Sequence, residues 1–159
     1  MTLRDKMQQE QQAKTLYKQA QNYAFEYADE ALVRNVFPSG QALAELRHFD
    51  EDLPENSGDA KAILEQLHQY GSPASVAQAG GRYFGFVNGG ILPVSLATKL
   101  LTDFWDQNTA LYVMSPITSK LEQVCEEWLR QLFGLPDTTV AGFVSGTSSA
   151  IFCGLAAAR

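Results

Sequence analysis

Val140-Ala141-Gly142-Phe143-Val144-Ser145-Gly146-Thr147-Ser148-Ser149-Ala150 is the stretch on which the fold reading turns. Val140 to Val144 is apolar and β-prone and predicts a strand, Ser145 to Ser148 predicts a turn of small residues, and Ser149 to Arg159 predicts a helix. A strand that hands a small-residue turn to a helix start makes an anion site, because free N–H groups and the helix dipole converge there. The hydroxyls of Thr147 and Ser148 add donors. The same residues also suit a plain hydroxyl cap on a buried helix.

Working outward from this turn, the strand has no second strand to pair with, although a strand needs a laddered neighbour. The final helix runs to Ala156-Ala157-Ala158-Arg159 without a stop residue. Both features predict a mostly α chain cut from a larger α/β fold.

Upstream, Ser115 and Pro116 predict a cap and a first-turn proline for a helix bearing Leu121, Val124, Cys125, Trp128, Leu129 and Leu132, which Gly134 and Pro136 end. Another helix is predicted through Leu92, Leu96, Leu100 and Phe104, with Ala97, Leu101 and Trp105 beside that face. Between Gly80 and Gly90 aromatics alternate with glycine, which predicts either a short extended piece at a site or a buried turn. The first 35 residues predict one polar helix, with apolar positions from Leu16 to Leu32 spaced by three and four. A short helix is expected through Leu43 and Leu46, then an acidic loop at Asp50 to Glu55. Asp59 caps a further helix through Ile63, Leu64 and Leu67 that Gly71 is expected to end. The expected organisation is a helical arm over 1–79 and a second, incomplete domain over 80–159.

Composition narrows the function. The chain of 159 residues is 45% hydrophobic and 19% charged, ordinary globular values. Eighteen acidic against twelve basic side chains give a net charge of -6, with the basic residues scattered, so nucleic acid is a poor partner. No stretch approaches the roughly 20 apolar residues that span a bilayer, and a cytoplasmic location is expected. Cys125 and Cys153 are expected as core thiols, and His48 and His68 as surface or packing histidines, which leaves no zinc ligand set.

Other uses of the Gly146 turn fail on spacing. Gly142, Gly146 and Gly154 do not fit the dinucleotide pattern, and no Gly-Lys pair exists for a nucleotide-binding loop. Gly146-Thr147-Ser148-Ser149-Ala150 matches a relaxed nucleophile elbow, but that elbow needs a later histidine, and both histidines precede Ser148.

Three segments in order then carry a resemblance. Gly81-Arg82-Tyr83-Phe84-Gly85-Phe86-Val87-Asn88-Gly89-Gly90 is the first. Trp105-Asp106-Gln107-Asn108 through Tyr112-Val113-Met114-Ser115-Pro116 to Leu121-Glu122 is the second. Gly142 to Ala150 with Leu155-Ala156-Ala157-Ala158-Arg159 is the third. Together they are similar to the group II pyridoxal-phosphate-dependent amino-acid decarboxylases, the relatives of the aromatic-amino-acid and glutamate decarboxylases.

The resemblance implies the N-terminal portion of an α/β, fold-type I pyridoxal-phosphate enzyme that acts on a small amino-acid substrate as a homodimer. It implies that Gly146, Thr147 and Ser148 hold the cofactor phosphate, that Phe86 and Asn88 line the substrate side, and that Gln107 to Tyr112 lie at the dimer interface. Glutamate-selective relatives tend to carry glutamine where Phe86 stands, which favours an apolar or aromatic substrate. The family's cofactor-binding lysine follows histidine or asparagine, whereas Lys6, Lys14, Lys18, Lys61, Lys99 and Lys120 follow Asp, Ala, Tyr, Ala, Thr and Ser. The acidic partner of the pyridine nitrogen and the stacking histidine are likewise missing from the pattern, and Gly80-Gly81 stands where relatives often have His-Pro. The expected activity therefore belongs to a parent lyase. The alternative is a non-catalytic helical module that associates through its N-terminal stripe and the Trp105 to Trp128 region.

Overall fold

The computed structural model describes residues 2–159 and divides into two compact units, Met1–Leu92 and Pro93–Arg159. The first unit opens with α1, Leu3–Ala13, and α2, Thr15–Val33. Thr2 and Asp5 close a reciprocal capping box at the start of α1. The single helix expected over the first 35 residues is broken at Lys14, whose φ of 57° is left-handed. Its N–H still reaches the Glu10 carbonyl, so the break ends one ladder and starts the next.

α3, Gly40–Ala44, is capped by the Ser39 hydroxyl and tightens into a 3₁₀ turn over Glu45–Phe49. α4, Ala60–Gln66, starts where Asp59 accepts from the Lys61 N–H at 3.1 Å. Gly71 does not end this run. A π turn over Leu67–Gly71 leads into α5, Ser72–Ala74. Pro73 is the physical reason: a proline gives no N–H to the preceding turn and crowds its carbonyl, and a widened turn relieves both. In that widened turn the Ser72 N–H reaches back to the Leu67 carbonyl.

Polar side chains fasten this unit. Gln19 Nε2 on α2 donates to the Lys61 carbonyl at 3.1 Å, and the Tyr23 ring stacks on His68 at 4.1 Å. His68 Nε2 also meets Glu26 at 3.1 Å, and His48 stacks on Tyr70 at 3.9 Å, so both histidines pack as the sequence led one to expect. Arg34, just past α2, donates to the Ser72 carbonyl at 2.8 Å, to the Ser75 carbonyl at 2.9 Å and to the Ser75 hydroxyl at 2.8 Å. Its guanidinium lies 5.0 Å from the Tyr27 ring centroid. Among the described residues Ala31 and Ala77 are the buried apolar ones.

The second unit holds α6, Pro93–Trp105, α7, Pro116–Phe133, and α8, Thr147–Ala157. Gly134 closes α7 at φ 63°, and the Leu135 N–H returns to the Arg130 carbonyl at 3.0 Å, the paired ending expected of a glycine stop. None of these three helices buries a residue fully. Cys153 is exposed and Cys125 half-buried, so neither is the core thiol expected.

The strand expected over Val140 to Val144 is not formed, and the described residues contain no strand. An extended segment becomes a strand only when a neighbour accepts its ladder, and this one has none among the described residues. Among the described residues no helix is long and apolar enough to cross a membrane. Among the described residues no cluster of His, Cys, Asp or Glu could hold a metal ion.

Candidate functional site

The predicted site residues fall in both units, Phe86 and Asn88 in the first, Gly146, Thr147 and Ser148 in the second. Gly146 is the residue before α8, extended at φ 176° and ψ 170°. The first bond of the helix ladder runs from the Ala150 N–H to the Gly146 carbonyl at 3.1 Å. The N–H groups of Thr147, Ser148 and Ser149 therefore precede the ladder, and no side chain caps them.

All of Gly142 to Ala150 is exposed. A Cβ built on Gly146 would meet nothing within 4 Å, so the backbone there is open to approach. Adjacent free N–H groups, two hydroxyls and the positive end of an eleven-residue helix make a donor set for a dianion. That set fits the phosphate of pyridoxal phosphate. The helix start occurs at Thr147 although the preceding strand does not form, because the helix ladder is local and needs only residues 146 onward.

Phe86 and Asn88 share one turn. Phe86 and Val87 both have left-handed backbone, φ 52° and 59°, which costs about 1–2 kcal/mol per non-glycine residue. Their side chains are 92% and 104% exposed. The Asn88 N–H donates to the Gly85 carbonyl at 3.3 Å and closes the turn. So the segment is neither the extended piece nor the buried turn that its aromatics and glycines allowed.

Further along, Asp106 is left-handed at φ 48°, Gln107 Nε2 donates to the Trp105 carbonyl at 2.9 Å, and Asn108 Oδ1 accepts from the Ala110 N–H at 3.0 Å. Tyr112 is exposed. Ser115 precedes α7 as expected, yet its hydroxyl makes no capping bond and is buried without a partner. The Thr118 hydroxyl donates to the Ser115 carbonyl at 3.1 Å.

Sequence reasoning did not single out Arg34, Gln78 or Tyr83. Arg34 follows an ordinary helix end, and only its partners 38 and 41 residues away reveal its role. Tyr83 carried a signal in its place two residues before Gly85, since a glycine beside an aromatic often marks close approach.

The conserved domain of pyridoxal-dependent decarboxylases matches residues 43–159, which takes in both the Phe86–Asn88 turn and the start of α8. No curated protein matches the chain. Among solved structures, the crystal structure of mouse CSAD is similar, with a TM-score of 0.67 and 19% sequence identity over 77% of this chain. This chain spans 26% of that one. The likeness shows the mostly helical fold expected of the N-terminal part of a fold-type I pyridoxal-phosphate enzyme. With the family's domain matched over most of its length, the chain belongs to the pyridoxal-dependent decarboxylases.

Proposed function

We propose that this chain is an N-terminal portion of a pyridoxal-phosphate-dependent amino-acid decarboxylase, and that the whole protein is a lyase releasing carbon dioxide from an amino acid. The observation that carries this reading is the open helix start at Gly146 inside the matched family domain. Pyridoxal phosphate, when bound, supplies an electron sink for the pair left behind as the carboxylate departs. This chain's part is to hold and orient. The N–H groups at the start of α8 and the hydroxyls of Thr147 and Ser148 grip the phosphate, and Gly146 lets it come close. Phe86 and Asn88 face the substrate, and the exposed Phe86 ring favours an apolar or aromatic amino acid.

On this reading none of the six lysines is the one that binds the cofactor covalently, so the chain alone does not turn over. The protein works as a homodimer in the cytoplasm, with Gln107 to Tyr112 at the dimer interface.

Two measurements test the proposal. In the full-length protein, Thr147→Ala and Ser148→Ala each weaken pyridoxal-phosphate binding by roughly two- to tenfold, the effect of one hydrogen bond of about 0.5–1.5 kcal/mol. Unchanged affinity in both variants would remove the phosphate site from this turn. Release of carbon dioxide from amino acids by the 159-residue chain with pyridoxal phosphate would overturn the assignment of its lysines.

A second reading, a non-catalytic helical association module, draws on the exposed apolar faces of α6 and α7, where Leu96, Leu100, Phe104, Leu121 and Trp128 are all uncovered. Light scattering discriminates. A compact monomer of this chain counts against the module.

A further inference from the structure

The turn bearing Phe86 and Asn88 is held in a backbone state its own side chains do not maintain. Phe86 and Val87 are consecutive left-handed residues, and the β-branched valine is the less suited of the two. Neither buries its side chain. A strained conformation of this kind persists where its neighbours over-determine it.

Those neighbours are Gln78 and Tyr83. Asn88 Nδ2 donates to Gln78 Oε1 at 3.3 Å and to the Tyr83 hydroxyl at 3.5 Å. Tyr83 also lies against the turn itself, since a Cβ on Gly85 would stand 3.0 Å from its hydroxyl oxygen and 3.2 Å from Cζ. Below the turn, the Tyr83 N–H donates to the Gly80 carbonyl at 3.2 Å. The Arg82 guanidinium donates to the carbonyls of Leu32, at 3.2 Å, and Arg34, at the end of α2. The Ala77 N–H donates to the Val36 carbonyl at 2.9 Å. The base is thus fixed to α2, and Gln78 and Tyr83 pass that fixation up to Asn88.

We infer that Gln78 and Tyr83 are positioning residues which, through Asn88, hold the Phe86–Val87 turn in its left-handed form so that the Phe86 ring meets an amino-acid substrate already oriented. The inference rests on the substrate-side reading of Phe86 and Asn88. Pre-orientation acts on binding, because the ordering is done before the substrate arrives.

The experiment uses the full-length protein loaded with pyridoxal phosphate. Gln78→Ala and Tyr83→Phe each raise KM for the amino-acid substrate roughly three- to tenfold and leave kcat unchanged, as expected for lost uniform binding. Adding Val87→Gly to Gln78→Ala restores KM, since glycine takes the left-handed form without strain. Hydrogen exchange at the Asn88 amide speeds up in the two single variants and slows again in the Gln78→Ala, Val87→Gly pair. Unchanged exchange in the single variants overturns the positioning role whatever the kinetics. A raised KM in Phe86→Ala with an unchanged KM in Gln78→Ala overturns it while the substrate reading stands. Unchanged KM in both overturns the substrate reading and the effect inferred from it.

Discussion

The two units hold their helices by different means. In the first, side chains reach across long stretches of chain: Arg34 to Ser72 and Ser75, Arg82 to Leu32, Gln19 to Lys61, His68 to Glu26. In the second, the bonds of α6 and α7 stay local. Lys99 pairs with Asp103 one turn on, Glu127 with Arg130 and Gln131, and Arg130 reaches no farther than the Asp137 carbonyl. The helices there carry broad apolar faces that remain uncovered. A fold can therefore be fastened by a few polar clasps, while a helix set only by its ends and its own pairs has its shape but not its burial.

The largest effect expected from breaking this contrast is at Arg34. Arg34→Ala removes charged donors from two helix-end carbonyls and a hydroxyl, and should destabilise the first unit by about 2–3 kcal/mol. Urea unfolding checks it, because Trp105 and Trp128 both sit in the second unit while Tyr23, Tyr27 and Tyr70 sit in the first. The tyrosine signal should shift to lower urea and the tryptophan signal should not. Equal shifts would mean that the units unfold as one, and the contrast would fail.

A smaller effect is expected from the mirror experiment in the second unit. Gly134 sits at φ 63° with nothing within 4 Å of a Cβ position, so Gly134→Ala meets only the backbone penalty, about 1 kcal/mol. The tryptophan signal should now move and the tyrosine signal stay. A neutral result would mean that α7 does not depend on its glycine ending.

This contrast also explains what could be read from the sequence. α6 and α7 were legible because periodicity, a first-turn proline and a glycine stop are written within the helix itself. The start of α8 after Gly146 was legible for the same reason. Features decided by distant partners were not. Val140 to Val144 has the composition of a strand, but pairing is not a property of those residues. Gly71 looked like a stop because glycine usually is one, and only the π turn ahead of Pro73 shows how the helix passes it. Lys14 bears no mark of a left-handed break. The clasp of Arg34 and the hold of Gln78 on Asn88 join residues far apart in sequence or through a turn whose shape composition does not state.

Acid should act on both units alike, and with the smallest effect, because it tests helix-local bonds that each unit possesses. In α1 the Thr2 backbone N–H, donating to the Asp5 carboxylate at 2.9 Å, and then the Thr2 side chain hold the Asp5 pKa below the ordinary 3.8. In α7 the Gln131 amide, then Arg130, hold the Glu127 carboxyl below the ordinary 4.5. For both, the folded value lies under the unfolded one. Their stabilisation is thus present above the ordinary carboxylate range and is lost as the pH falls through the lowered folded values. Both groups are at the surface, so salt should weaken the effect. Ellipticity at about 222 nm should fall slightly between about pH 5 and about pH 2, Asp5→Asn removing one share and Glu127→Gln the other. An acid transition of full size in the double variant would show that neither helix-local bond is its source.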